Sequence, residues 1–155
     1  MKRVVSALKW ARACDRPSCI PLSGPKKGAK RRGIRYEVAF ANALSSLYPE
    51  ALHGQWWAFE DDSGSGYCQT DLLIVGPKAA VVFECKLTLV EQAFEQLSEL
   101  YLPVVERALS LPTTGIVVTR HLRRSEKLVV GSLAEALEQS QETIPVLHWL
   151  ENCPL

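Results

Sequence analysis

The chain has no apolar run approaching the ~20 residues of a membrane span, and its first residues lack the apolar core of a secretory signal. These absences argue against a membrane partner and lead to the expectation of a cytoplasmic protein. There are five cysteines, an odd number without framework spacing, which reads as free thiols rather than a disulfide scaffold. Cys14 and Cys19 are at best half a zinc site, because no second Cys or His pair with suitable spacing follows them. Residues 24–30 fail Walker spacing, and Ser65, between Gly64 and Gly66, lacks the nucleophile-elbow pattern. There are no internal repeats. What remains is 155 residues, 47% hydrophobic and 23% charged, enough for one domain with a real core.

Net charge is only +1, but it is unevenly placed. Residues 1–35 contain eleven Lys or Arg against one acid, Asp15, a net of +10, and the other 120 residues carry seven bases and sixteen acids, a net of −9. A basic arm over 1–32, extended or mobile in part, and a folded domain over 33–155 follow from this division. A basic arm on an acidic domain suits a polyanion held near a cation-dependent site. Lys26, Lys27, Lys30, Arg31, Arg32 and Arg35 are the candidate nucleic-acid contacts there. Arg120, Arg123 and Arg124, around His121 just past a strand, form a second basic cluster.

Residues 1–13 read as a short helix from Val4, Leu8 and Ala11, and residues 14–33, with Pro17, Pro21, Gly24 and Pro25, as a linker. Apolar residues at 36, 40, 43, 44 and 47 predict a helix over 34–47, stopped by Pro49. Strands are expected over 55–60, 67–75 and 79–87, separated by turn-forming segments. Thr88-Leu89-Val90-Glu91 reads as a capping box opening a long helix, which Pro103 kinks or shortens. A buried strand over 115–119, a capped helix over 132–139 and a last strand over 144–150 complete an α/β sandwich with a mixed sheet flanked by helices.

Buried strands seldom carry charge, yet both central strands do. Asp71 adjoins Leu72-Leu73-Ile74-Val75, and Glu84 and Lys86 end the run that begins Val81-Val82-Phe83. Glu84 and Lys86 are two apart and share a face, whereas Cys85 points to the opposite one. If the turn centres on Pro77-Lys78, Gly76 opposes Ala79, so Asp71 falls opposite Glu84 and Gln69 opposite Lys86. Two carboxylates ~5 Å apart repel unless a cation lies between them, and Mg²⁺ or its substitute Mn²⁺ prefers such oxygen ligands. Lys86 would then steady a phosphate oxygen or an attacking water. Glu37 borders the apolar face of the first helix and can point toward the sheet, where an inward carboxylate needs a partner or a cation.

Thr70-Asp71, twelve residues, then Glu84-Cys85-Lys86 resembles the PD-(D/E)XK nuclease superfamily, with threonine where the motif has proline. The resemblance covers residues 33 to about 120 and implies a restriction-endonuclease-like three-layer sandwich. It implies that Asp71 and Glu84 hold Mg²⁺ with the main-chain carbonyl of Cys85, that Glu37 completes the shell, and that Lys86 positions water. Gln92 and Gln96 are similar to glutamines placed near the site in exonuclease-like branches, and they join Gln69 as outer residues. The function expected is a metal-dependent DNA nuclease, of phage, mobile-element, junction or repair type, with RNA as the alternative substrate and a homo-oligomer allowed. The competing readings are a catalytically silent DNA-binding or assembly protein that retains the fold, and a small binding domain whose acids are merely paired. His53 and His148 have no evident partners in sequence, at least one of Trp56 and Trp57 is expected in the core, and base stacking is their other use.

Overall fold

The structure is a computed structural model that describes residues 4–123 and 127–155. Its elements run β1 (Trp10–Cys14), α1 (Gly28–Leu47), β2 (Leu52–His53), β3 (Trp56–Asp61), β4 (Gly64–Gln69), β5 (Leu72–Val75), β6 (Ala80–Thr88), α2 (Glu91–Gln96), a wider π-type turn (Leu97–Tyr101), α3 (Leu102–Leu109), β7 (Thr113–His121), β8 (Val129–Val130), α4 (Leu133–Gln139) and β9 (Val146–His148). Arg124, one of the expected basic contacts, lies outside the described residues.

Two sheets form. One has the order β1-β3-β4, and the larger has the order β2-β5-β6-β7-β9-β8. In the larger sheet β2-β5 and β5-β6 are antiparallel, while β6-β7, β7-β9 and β8-β9 are parallel, so the expected mixed sheet is present. Alternation along its strands divides the core. Leu72, Ile74, Phe83 and Cys85 face α1 and α4, packing with Tyr36, Phe40, Leu44, Leu133 and Ala136. Leu73, Val82 and Val117 face the other way, toward Trp57, Phe59, Phe94, Leu97, Tyr101 and Val104. Phe40 is fully buried against the rings of Phe83 and Trp149, so truncating it to Ala costs ~3–5 kcal/mol.

Four elements differ from the expectations of the sequence, three of them for a non-local reason and the first helix for a local one. The segment expected as a helix over 1–13 contains β1, which is antiparallel to β3 with Trp10 opposite Glu60 and Cys14 opposite Trp56. Val5, Leu8 and Ala11 pack on the core face that holds Trp57. The first helix starts at Gly28 rather than 34, inside the expected arm, because Ala29-Lys30-Arg31-Arg32 are good helix formers that outweigh the flanking glycines. The strand expected over 67–75 is two strands in two sheets, broken at Thr70 and Asp71. Thr88 is not a helix cap. It stays extended as the end of β6, paired with His121, and the uncapped Val90 precedes α2.

Pro103 lies in the first turn of α3, and helical structure continues through it from Glu91 to Leu109. Pro103 has no N–H for the Glu99 carbonyl four residues earlier, and that carbonyl accepts the N–H of Val5 at 3.1 Å. The wider turn at Leu97–Tyr101 takes up the local misfit just before the proline. Ser132 caps α4 as expected, accepting from the Glu135 N–H at 3.3 Å. Among the described residues no helix is long and apolar enough to cross a membrane.

Candidate active site

Asp71 sits where the chain leaves the smaller sheet for the larger one. Thr70 before it is fully buried; its Oγ1 accepts from Trp57 Nε1 at 3.1 Å and its N–H donates to the Gln55 carbonyl at 3.0 Å. The Asp71 carbonyl accepts from Gly54 N–H at 2.9 Å. Gly54 has a φ of +71°, and a Cβ there would approach Gln69 Nε2 to 3.0 Å, so this hold on Asp71 needs a glycine. These anchors fix the main chain on both sides of the carboxylate.

β5 and β6 pair with Leu72 opposite Phe83 and Val75 opposite Ala80. One step further this register carries Asp71 opposite Glu84, as the turn geometry predicts. Asp71 Oδ2 accepts the Cys85 N–H at 2.8 Å. Glu84 is almost completely buried and shares the face of Val82, and Cys85 packs on the opposite face beside α1. Lys86 Nζ lies 2.6 Å from Glu84 Oε1, with the lysine side chain 34% exposed and the glutamate 2%. Glu84 Oε2 is buried without a hydrogen-bond donor.

This arrangement stores charge at a cost. Burial, then the nearby Glu84 and Glu37, push the Asp71 carboxyl up to about 8 from an ordinary 3.8. Burial also raises Glu84, although Lys86 opposes the shift. For Lys86, burial works against the ammonium, but Glu84 and Asp71 outweigh it and hold the group above its usual range. The charge of Glu84 disfavours ionisation of Asp71, so their titrations are linked.

The other expected residues divide. Glu37 Oε1 is 3.0 Å from His53 Nε2, and the charge of Glu37 reaches Asp71 and Glu84. Among the described residues no three His, Cys, Asp or Glu side chains form a ready metal cluster. Gln69 is not opposite Lys86. It pairs with Trp56 in the smaller sheet, and its amide donates to the Gly54 carbonyl at 3.0 Å. Gln92 is exposed on α2, whereas Gln96 donates to the Tyr101 hydroxyl. Tyr101 is raised first by burial and then by Glu84 and Asp71, so its hydroxyl lies within electrostatic reach of the acids.

In the sequence Tyr101 belongs only to an apolar stripe, since the wider turn that aims it has no local signature. His53 has a partner in Glu37, and His148 Nε2 meets the Arg120 carbonyl at 2.9 Å. Trp57 is in the core as expected, and Trp56 is covered by Arg16, 5.7 Å above its ring. Cys14 and Cys19 are free thiols.

Lys26 and Lys27 lead into α1, with Lys27 as its cap residue, and Lys30, Arg31, Arg32 and Arg35 occupy its first two turns, exposed save for the half-buried Lys26. No acid offsets them in the first turn. Cations at the positive end of a helix dipole are unfavourable unless an anion is supplied from outside. Arg120 and Arg123 are exposed at and beyond the end of β7. No protein-family model, no curated protein and no solved structure matches this chain.

Proposed function

We propose that this chain is a divalent-metal-dependent nuclease that hydrolyses DNA phosphodiester bonds on a restriction-endonuclease-like core. The observation that carries the reading is the half-buried Asp71 and the buried Glu84, opposed across the β5-β6 register, with Lys86 on one oxygen of Glu84 and the other lacking a donor. A purely structural ion pair would not need a second carboxylate beside it. The exposed basic turns of α1 support a polyanionic substrate.

The residues fit Mg²⁺ or Mn²⁺. Asp71, Glu84 and the main-chain carbonyl of Cys85 are hard oxygen donors, and Mg²⁺ is commonly held by one or two carboxylates with water and substrate oxygens rather than by a full protein cage. A divalent cation bound there supplies stabilisation for the charge that builds on the phosphoryl oxygens. Lys86 keeps its proton at neutral pH and presents an ammonium beside that position, able to donate to a phosphoryl oxygen or orient the attacking water. The Cys85 N–H holds Asp71 Oδ2, which leaves its second oxygen for the cation or a water. Burial of Glu84 excludes bulk water from the pair.

The absence of a third ligating side chain among the described residues favours one alternative, a catalytically silent DNA-binding or assembly protein on the same fold. A cleavage panel of linear, circular, single-stranded and branched DNA, with RNA as a further arm, separates the two. It is run with Mg²⁺, with Mn²⁺ and with chelator. Metal-dependent cleavage lost in both Asp71→Ala and Glu84→Ala supports the nuclease. Cleavage at wild-type level in both variants overturns the site. Stabilisation by Mn²⁺ without cleavage on any arm supports the silent protein.

A further inference from the structure

Arg32 and Arg35 stand one turn apart on α1, and Arg120 and His121 end β7. The fold brings these two distant segments together around a cavity of about 390 Å³, lined also by Leu87 and Glu151. This is large enough for a phosphate ester with part of its sugar. Leu87 belongs to the face of β6 that packs toward α1, opposite to the face that carries Glu84 and Lys86. The cavity is therefore separate from the acid pair, yet begins one residue beyond Lys86 at the same end of the strand.

Three arginines, one histidine and one glutamate line the cavity, so its guanidinium groups outnumber its carboxylate. Planar guanidinium forks match the oxygens of a phosphate two at a time. One acidic group already occupies such a position: Arg120 Nη1 binds Glu151 Oε1 at 3.1 Å, both side chains being partly exposed. The Glu151 carboxylate marks where an oxyanion sits against Arg120. It also satisfies Arg120 when no other anion is there.

We infer that this cavity is a second, non-catalytic phosphate site, in which a phosphoryl group displaces Glu151 from Arg120 and is clamped by Arg120 with Arg32 and Arg35. The inference names a contact for the substrate class proposed above and rests on that reading for its setting, although binding there needs no hydrolysis. A strand crossing the end of the sheet would place one phosphate near the acids on one face of β6 and another in the cavity on the other face.

The test is equilibrium binding of a short fluorescent DNA duplex to the full chain in chelator, over a range of salt. Glu151→Gln removes the internal competitor and should tighten binding about two- to fivefold, the scale of an exposed ion pair. Arg120→Gln and Arg35→Gln should weaken it and each lower the slope of log affinity against log salt by about 0.9. Circular dichroism and melting confirm that each variant is folded.

Inorganic phosphate and a mononucleotide at matched ionic strength form the other arms. If either raises the melting temperature of the wild type but not of Arg120→Gln, the site takes a free phosphate as well as, or instead of, a strand. Unchanged or weaker DNA binding in folded Glu151→Gln, with no Arg120-dependent response to phosphate, overturns the site. Absence of metal-dependent cleavage by the wild type would sink the nuclease reading alone, since every arm here is measured without catalysis.

Discussion

Asp71 Oδ2 accepts the main-chain N–H of Cys85 at 2.8 Å, a side chain closing onto the strand opposite its own. This bond holds the carboxylate at the point where the β5-β6 ladder ends, facing Glu84. The predictions for the site follow from what that placement costs without a cation and allows with one.

Asp71→Asn keeps an acceptor for the Cys85 N–H and removes a half-buried carboxyl that folding makes harder to ionise beside Glu84. In chelator the variant should be more stable than wild type by about 1–3 kcal/mol, a few degrees in melting temperature for a domain of this size. Cleavage and Mn²⁺ stabilisation should both disappear. A variant that is less stable in chelator would mean that the carboxylate is structurally required.

The pH dependence has a definite sign. The Asp71 carboxyl is raised in the folded protein from 3.8 to about 8, mainly by burial. Its contribution to stability is therefore fully present below pH ~4 and is lost as pH rises through about 8, because the folded state holds a proton that the unfolded chain has released. Metal-free wild type should lose stability relative to Asp71→Asn across this window, and saturating Mn²⁺ should flatten the difference. Parallel curves in chelator would show that Asp71 is ionised at ordinary pH.

Lys86→Ala should lower single-turnover cleavage by about 10²- to 10³-fold, the scale of removing one donor to the developing charge. Mn²⁺ affinity, measured by calorimetry, should change far less, since Lys86 occupies one oxygen of Glu84 and not the other. Lost Mn²⁺ binding with normal turnover would reverse the assignment.

The N-terminal segment has two separable roles. Deleting residues 1–14 removes β1 and uncovers the core beside Trp57, so the protein should lose several kcal/mol or fail to fold. Changing Lys26, Lys27 and Lys30 to Gln leaves β1 in place. It should lower the salt slope of DNA binding by up to about 0.9 for each phosphate that is no longer neutralised. The same variant should melt no lower than wild type, because cations near the positive end of α1 are unfavourable. An unchanged salt slope would remove these lysines from the DNA interface.

The amino-acid sequence by itself determined whatever depends on neighbours close along the chain. The Pro77-Lys78 turn set the pairing of β5 with β6, and with it Asp71 opposite Glu84, because a short turn leaves a hairpin few registers. Alternation placed Glu84 and Lys86 on one face and Cys85 on the other, and the spacing of Tyr36, Phe40 and Leu44 gave α1 its buried stripe. Only the tertiary structure decided the rest. Val4, Leu8 and Ala11 have helical spacing, yet the hydrogen bonds offered by β3, more than forty residues away, make their segment end in a strand. The run from Tyr67 to Val75 is locally one strand, but its halves pair with different sheets, and the break between them is what positions Asp71. Glu37 bonds to His53, and Arg120 lines one cavity with Arg32 and Arg35, through placements that no local period encodes. Burial and charge act through space, so the side chains surrounding a site depend on the completed fold.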